Sequence, residues 1–301
     1  MRLICLKYKA LSPLHIGYGR RLGIINQTRY FIPGINIWAA LTVNLVQKLM
    51  RTYNSEVYVK AGNFIKENFL ITNFYPVIDN SVCLPQFKKE GFYYGPYSKY
   101  EFESIVLDSY TSTALQMKTA EEGSLHEIEF LKNKIKVENI YLDLQFEGYI
   151  GIKNDQVLQQ GLKLRYDDSS LPLLKIAKDI SIGGEKKYGF GRLTLSQDPY
   201  QTENFWGEFK IEENKITIPE AKATPFYIKI TDNFSKKFTG DVEPLVGKLW
   251  IETSYKRGSG QKIESYGICV IPGSLMNENT TLNLSNEFSA FGIGIAVVVD
   301  K

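Results

Sequence analysis

The stretch Ser181–Leu195 reads SIGGEKKYGFGRLTL, with Gly183, Gly184, Gly189 and Gly191 interleaved with Lys186, Lys187 and Arg192. Tyr188 and Phe190 sit between the later glycines. A dinucleotide site needs G-x-G-x-x-G after a strand and opening a helix, so that the helix N-terminus meets the pyrophosphate. GGEKKYGFG does not have that spacing, and neither does GYGRRLG at 17–23. No G-x-x-x-x-G-K-[ST] occurs either, which excludes a P-loop. Two readings stay open on the residues alone. One is a decorated β-turn. The other is a loop whose exposed N–H groups and cations approach RNA phosphates while its rings stack on bases.

Charge favours a polyanion partner. The segment Met1–Ser55 holds Arg2, Lys7, Lys9, Arg20, Arg21, Arg29, Lys48 and Arg51 and no Asp or Glu, although the whole chain is only +3. Positive charge gathered in one segment is what a polyanion-binding face requires. Cys5, Cys83 and Cys269 form no CxxC pair and only His15 and His126 are available, so neither a zinc site nor a disulfide framework is expected. HEIEF at 126–130 lacks the second histidine of a zincin helix. No metal and no cofactor are expected. The apolar run at the N-terminus is short and broken by lysines, and none elsewhere reaches the ~18 residues of a membrane helix. A soluble, cytoplasmic protein without membrane contact is the expectation.

Patterning gives an α+β architecture. RLICLKYKAL sets Ile4, Leu6, Tyr8 and Ala10 against Lys7 and Lys9, a half-buried strand. Gly17, Gly19 and Gly23 punctuate a basic loop, and RYFIPG reads as a second strand ending at Pro33-Gly34. In Asn36–Met50, Ile37, Leu41, Leu45 and Leu49 share one helical face, with Asn36 as N-cap. A second short helix running into a strand is expected from AGNFIKENFLITNFYPVI. Alternation in IKVENIYLDLQFEGYIGI is β-like, and a short helix precedes the opening stretch. DPYQTENFWGEF resembles a linker and FGIGIAVVVD a buried final strand. These patterns divide the chain into 1–198 and a β-rich 199–301.

His15, in SPLHIGYG, is the residue that general acid–base cleavage of RNA would use. A histidine hydrogen-bonded at a strand end fits the same position.

Several stretches, in order, resemble the RAMP superfamily of CRISPR effector proteins. SPLHIGYG at 12–19 is similar to the loop after that family's first strand. YFIPGINIWAAL at 30–41 is similar to its I-P-G-x-[ST]-[IL]-[KR]-G-A-[LI] segment. IGGEKKYGFGRL at 182–193 is similar to its G-G-x-[KR]-[KR]-x-G-[FYL]-G-R loop. TSTALQMKTAEEGSLHEIEFL at 111–131 resembles the thumb-like hairpin of backbone subunits. KRGSGQKIESYGICVIPGSL at 256–275 resembles a glycine-rich turn and strand of the subunits that cap the 5′ tag of the guide RNA.

The resemblance implies a ferredoxin-like (RRM-like) domain with a thumb-like insertion, followed by a smaller, degenerate RRM-like domain. It implies a type III effector complex, of subtype D, in which the chain binds CRISPR guide RNA, seats other Cas subunits and meets target RNA only indirectly. His15, Gly17, Gly19, Arg20 and Arg21 would line the guide, together with Gly183, Gly184, Lys186, Lys187, Tyr188, Gly189, Gly191 and Arg192. Thr113, Gln116, Lys118 and Thr119 would belong to the thumb. Target-cleaving members carry an aspartate before the I-P-G segment; here RRLGIINQTRY has no acid, so a non-catalytic role is expected. The alternative within the superfamily is a metal-independent endoribonuclease that processes repeat RNA with His15 as acid or base. A plain assembly subunit is the third possibility.

Overall fold

The computed structural model describes residues 1–49, 54–116, 118–120, 123–159, 162–166, 169–212, 214–231, 234, 237–252, 257–284 and 288–296. The fold is α+β, rich in strands with few helices. Strand β1 (Arg2–Ala10) lies inside the largest sheet. It pairs antiparallel with Gln145–Ile152 on one side and with Arg192–Leu195 and Tyr200–Thr202 on the other. Beyond Gln145–Ile152 comes Tyr75–Ile78, also antiparallel, and beyond Arg192–Leu195 comes Asp179–Ser181.

Only one half of β1 behaves as the alternation predicts. Ile4, Leu6, Tyr8 and Ala10 enter the main core, but Leu3 and Cys5 are buried too, on the opposite face. There they meet Phe205, Phe226 and Ile228, because a second sheet covers that end. Lys7 and Lys9 emerge where this cover stops, and each finds an acid: Lys7 lies 3.8 Å from Glu147, its register partner, and Lys9 3.8 Å from Asp143.

Helix α1 (Gly34–Leu49) buries Ile37, Leu41, Leu45 and Val46 against the main core, as the four-residue spacing requires. It starts at Gly34, so Asn36 lies inside the first turn and is not the N-cap. The stretch expected as a strand before it forms only a bridge, Ile32 to Phe74. Helix α2 (Ser55–Asn68) is capped by Asn54, whose Oδ1 accepts the Val57 N–H at 2.9 Å, and leads into the strand Phe69–Ile71. A further helix, α3 (Lys99–Val106), stands where the aromatic pattern gives no helical signal. Its Ser98/Glu101 capping box stops the aromatic hairpins of 85–98 and turns the chain.

The basic glycine segment is a strand pair and not a loop: β2 (Gly17–Leu22) turns back into β3 (Ile25–Thr28). These extend a sheet with Leu107–Ser112 and His126–Leu131, β3 running parallel to the latter. DPYQTENFWGEF is not a loose linker. Tyr200–Thr202 joins β1, and Phe205 and Trp206 pack edge-on against Tyr149 at 5.4 and 5.2 Å. The later part of the chain forms a six-stranded sheet, ordered Lys215–Ile218, Thr280–Asn283, Ile293–Ala296, Tyr227–Lys229, Arg257–Val270 and Val242–Glu252. FGIGIAVVVD supplies its interior strand Ile293–Ala296; residues 297–301 lie outside the described part.

Among the described residues, no helix is long and apolar enough to cross a membrane. All three cysteines are free and buried. Burial pushes the Cys5 thiol up to about 11 and those of Cys83 and Cys269 to about 12. A disulfide reagent at neutral pH should therefore titrate no thiol in the native protein and all three after denaturation. Rapid reaction of any thiol without denaturant would contradict this packing.

Candidate nucleic-acid interface

The opening stretch is a strand end (Asp179–Ser181), a tight turn with a short 3-10 segment (Lys186–Tyr188), and a returning strand (Arg192–Leu195). Main-chain hydrogen bonds stitch it to the loop after β1. Gly184 N–H donates to the His15 carbonyl at 2.8 Å and Gly191 N–H to the Pro13 carbonyl at 2.9 Å. Arg192 N–H donates to Ser12 Oγ at 3.0 Å, and Leu11 N–H to the Arg192 carbonyl at 2.9 Å. Glycine is required at two of these positions. Gly183 and Gly191 have φ of +74° and +85°, and a Cβ on either would collide with a backbone carbonyl oxygen, that of His15 or of Ile182.

The thumb-like segment reaches the same place from its base. Leu14 and Leu131 exchange backbone hydrogen bonds at 3.0 and 2.8 Å. Phe190 sets its ring edge-on to Phe130 at 5.4 Å and lies 6.0 Å from Tyr110. Three stretches far apart in sequence thus share one surface. From it, Leu107–Ser112 and His126–Leu131 lead to a small hairpin, Leu115–Gln116 with Thr119–Ala120. Thr113 Oγ1 and Ser124 Oγ close its neck at 2.6 Å, and Lys118 and Thr119 are exposed.

The individual residues differ in what they offer. His15 is buried, and its Nδ1 donates to the Glu129 carbonyl at 2.7 Å, because that oxygen can only accept. In the neutral ring Nε2 then carries the lone pair, on the side of Gly17. Lys186 is partly engaged: Nζ donates to the Ser181 carbonyl at 3.1 Å, and burial lowers its pKa. Lys187 and Arg192 are exposed, and Tyr188 is 73% exposed. Phe190 packs inward. Gly189, at the tip, has nothing within 4 Å of where a Cβ would stand, so its backbone is open to approach. Gly17 is exposed; Gly19, Arg20 and Arg21 lie on β2, and their side chains, like that of Gln116, fall outside the described part.

The I-P-G segment stands apart from this surface. Gly34 N–H donates to Asn73 Oδ1 at 3.1 Å, and Trp38 Nε1 to the Gly62 carbonyl at 2.9 Å, so the segment serves packing. The basic N-terminal segment is also less available than its composition implies. Arg2 lies 3.3 Å from Asp155, Lys7 and Lys9 have the acids described above, and Arg29 is buried in a bidentate pair with Glu243. Part of the acid-free character of Met1–Ser55 reflects acids supplied from elsewhere in the chain. Among the described residues no group of three or more His, Cys, Asp or Glu is arranged to hold a metal.

Sequence reasoning missed the Arg29 cluster. Arg29 donates to Glu243 Oε1 and Oε2 at 2.8 and 2.9 Å and to Tyr227 Oη at 3.0 Å. Tyr227 in turn donates to Glu243 Oε1 at 2.7 Å, and the guanidinium lies 4.6 Å from the Tyr18 ring centre. Burial pushes the Tyr227 hydroxyl well above its ordinary pKa, keeping it a donor. This cluster joins the β2–β3 end of the molecule to the six-stranded sheet.

No protein-family model matches the sequence, and no curated protein matches it either. Solved structures do resemble it. One is a chain in the cryo-EM structure of the type III-B Cmr-beta bound to cognate target RNA and AMPPnP, with TM-score 0.50 and 13% identity over 92% of this chain and 86% of that one. A crystal structure of a CRISPR protein from Archaeoglobus fulgidus aligns with TM-score 0.40 and 12% identity, over 94% of this chain and 95% of that one. The first of these likenesses shows a shared fold.

Proposed function

We propose that this chain is a non-catalytic, guide-RNA-holding subunit of a CRISPR type III effector complex, where it also seats neighbouring Cas subunits and meets target RNA through the guide. On this reading residues 1–198 are a ferredoxin-like RAMP domain with a thumb-like insertion, and 199–301 a second, degenerate one. The antiparallel order Arg192–Leu195, β1, Gln145–Ile152, Tyr75–Ile78 supports the first assignment, being that of a β-α-β-β-α-β unit with helices on one face. The fold shared with the Cmr-beta chain supports the complex. The carrying observation is the junction itself: the glycine loop, the loop after β1 and the base of the hairpin are hydrogen-bonded and packed into one surface. It presents Lys187, Arg192, the open backbone of Gly189 and the exposed ring of Tyr188. These are the cations and the stacking face that a single strand uses, and the bare tip at Gly189 lets its backbone come close.

The test is guide-RNA affinity as a function of salt for Lys187→Ala/Arg192→Ala. Binding should weaken on the order of tenfold, and the slope of log K against log salt should fall by about 0.7 for each phosphate no longer neutralised. Unchanged affinity and slope would remove the loop from the RNA path. Metal-free cutting of a repeat RNA, abolished by His15→Ala, would replace the non-catalytic reading with the nuclease.

A further inference from the structure

A cavity of about 400 Å³ opens where the β2–β3 end, the hairpins of 85–98 and the six-stranded sheet meet. That volume is within the range of small-ligand pockets. Much of its wall is aromatic, including Tyr18, Phe92 and Tyr94. Its charges do not balance. Arg29 is committed to Glu243, and Lys99 lies 3.7 Å from Glu103. Two lining carboxylates are left, Glu129 and Asp241. Asp241 is exposed and has no salt bridge among the described residues. Glu129 accepts the Thr28 N–H, yet its Oε1 is buried with no hydrogen-bond partner. Burial raises the Glu129 pKa; the charges of Glu103 and Glu127 add to the effect, while the Thr28 N–H and the Lys99 charge oppose it.

This surplus selects the ligand. A phosphate would meet a wall of net negative charge, and a neutral base would leave Asp241 without a counter-charge and the buried Glu129 oxygen only partly offset by Lys99. A guanidinium supplies that charge, lies flat on aromatic rings and offers a planar fork of N–H donors to carboxylate oxygens. We propose that the cavity receives an arginine side chain presented by a partner protein, its guanidinium against the aromatic wall and its charge answered by Glu129 and Asp241. The proposal rests on the part of the function above that has the chain seat other subunits, and not on its RNA contacts.

The full chain, titrated with the peptide acetyl-Gly-Arg-Gly-amide and followed by NMR, should bind it with ring shifts at Tyr18 and Tyr94. The lysine counterpart should bind at least about fivefold more weakly, because an ammonium lacks the planar fork. Glu129→Gln/Asp241→Asn should weaken the arginine peptide at least about fivefold. Asp241→Asn alone, at an exposed position, gives the same direction of change should the double variant fold poorly. No saturable binding up to about 20 mM, equal binding by the variants, or guanosine monophosphate producing the ring shifts in place of the peptide would each overturn the proposal. Guide-RNA affinity of Asp241→Asn should stay at the wild-type value, so that failure of the arginine site and failure of the RNA reading register separately.

Discussion

Replacing Arg29 by methionine should destabilise the protein by about 3–5 kcal/mol, the cost of leaving one member of a buried ion pair without its partner. The pair is well removed from water, with side-chain exposures of 12% for Arg29 and 7% for Glu243. Removing the cation strands a carboxylate whose remaining donor is the Tyr227 hydroxyl. A drop in thermal midpoint of about 10 °C is the expected reading. Adding Glu243→Gln to Arg29→Met should recover at least half of that loss, since a neutral amide keeps an acceptor for Tyr227 without a buried charge. If Arg29→Met costs under about 1 kcal/mol, the cluster does not hold the two sheets together in solution.

Gly191→Ala is the second large effect, and a control lies in the same turn. Gly191 has φ +85° and uses both backbone groups, its N–H on Pro13 and its carbonyl on the Ile182 N–H at 2.9 Å. An alanine there bears the cost of the left-handed conformation, about 1–2 kcal/mol, and also drives its Cβ into the Ile182 carbonyl oxygen. The sum is at least about 3 kcal/mol. Gly189→Ala meets only the first cost, because its φ is +84° with no atom near the new methyl. Chemical denaturation of the two variants separates these terms. Equal losses would mean that Gly191 does not lie against the Ile182 carbonyl as described.

These two effects differ in how legible they are in the sequence. The glycine turn is readable because its signal is local: the glycines, the basic pair and the closing Gly-Phe-Gly-Arg occupy a dozen consecutive positions. So is the buried face of α1, whose apolar spacing repeats within one element. Helix α3 has a local signal as well, the Ser98-x-x-Glu101 capping box, but it follows directly on the aromatic hairpins of 85–98. Arg29 and Glu243 are 214 positions apart, and neither neighbourhood marks the other. In the sequence Arg29 is one more cation of a basic segment; folding makes it a structural cross-link. The same holds for the inner face of β1. Leu3 and Cys5 follow the alternation of a solvent face, and only a second sheet arriving after residue 200 makes them core. Local chemistry therefore marks the turns and the helices, while long-range packing decides which charges remain free for a ligand.

The place of β1 inside its sheet also fixes an order of events during synthesis. Its partners Gln145–Ile152, Arg192–Leu195 and Tyr200–Thr202 are all translated long after it. At about 5–20 residues per second, the earliest strand waits roughly 10–40 s for the last of them. Until Gln145–Ile152 is made, Ile4, Leu6 and Tyr8 have no partner strand, and pairing across such sequence distances is intrinsically slow. The turn that marks this chain is consequently also its latch: until Gly191 reaches Pro13, the first strand has one edge open to any other strand it meets.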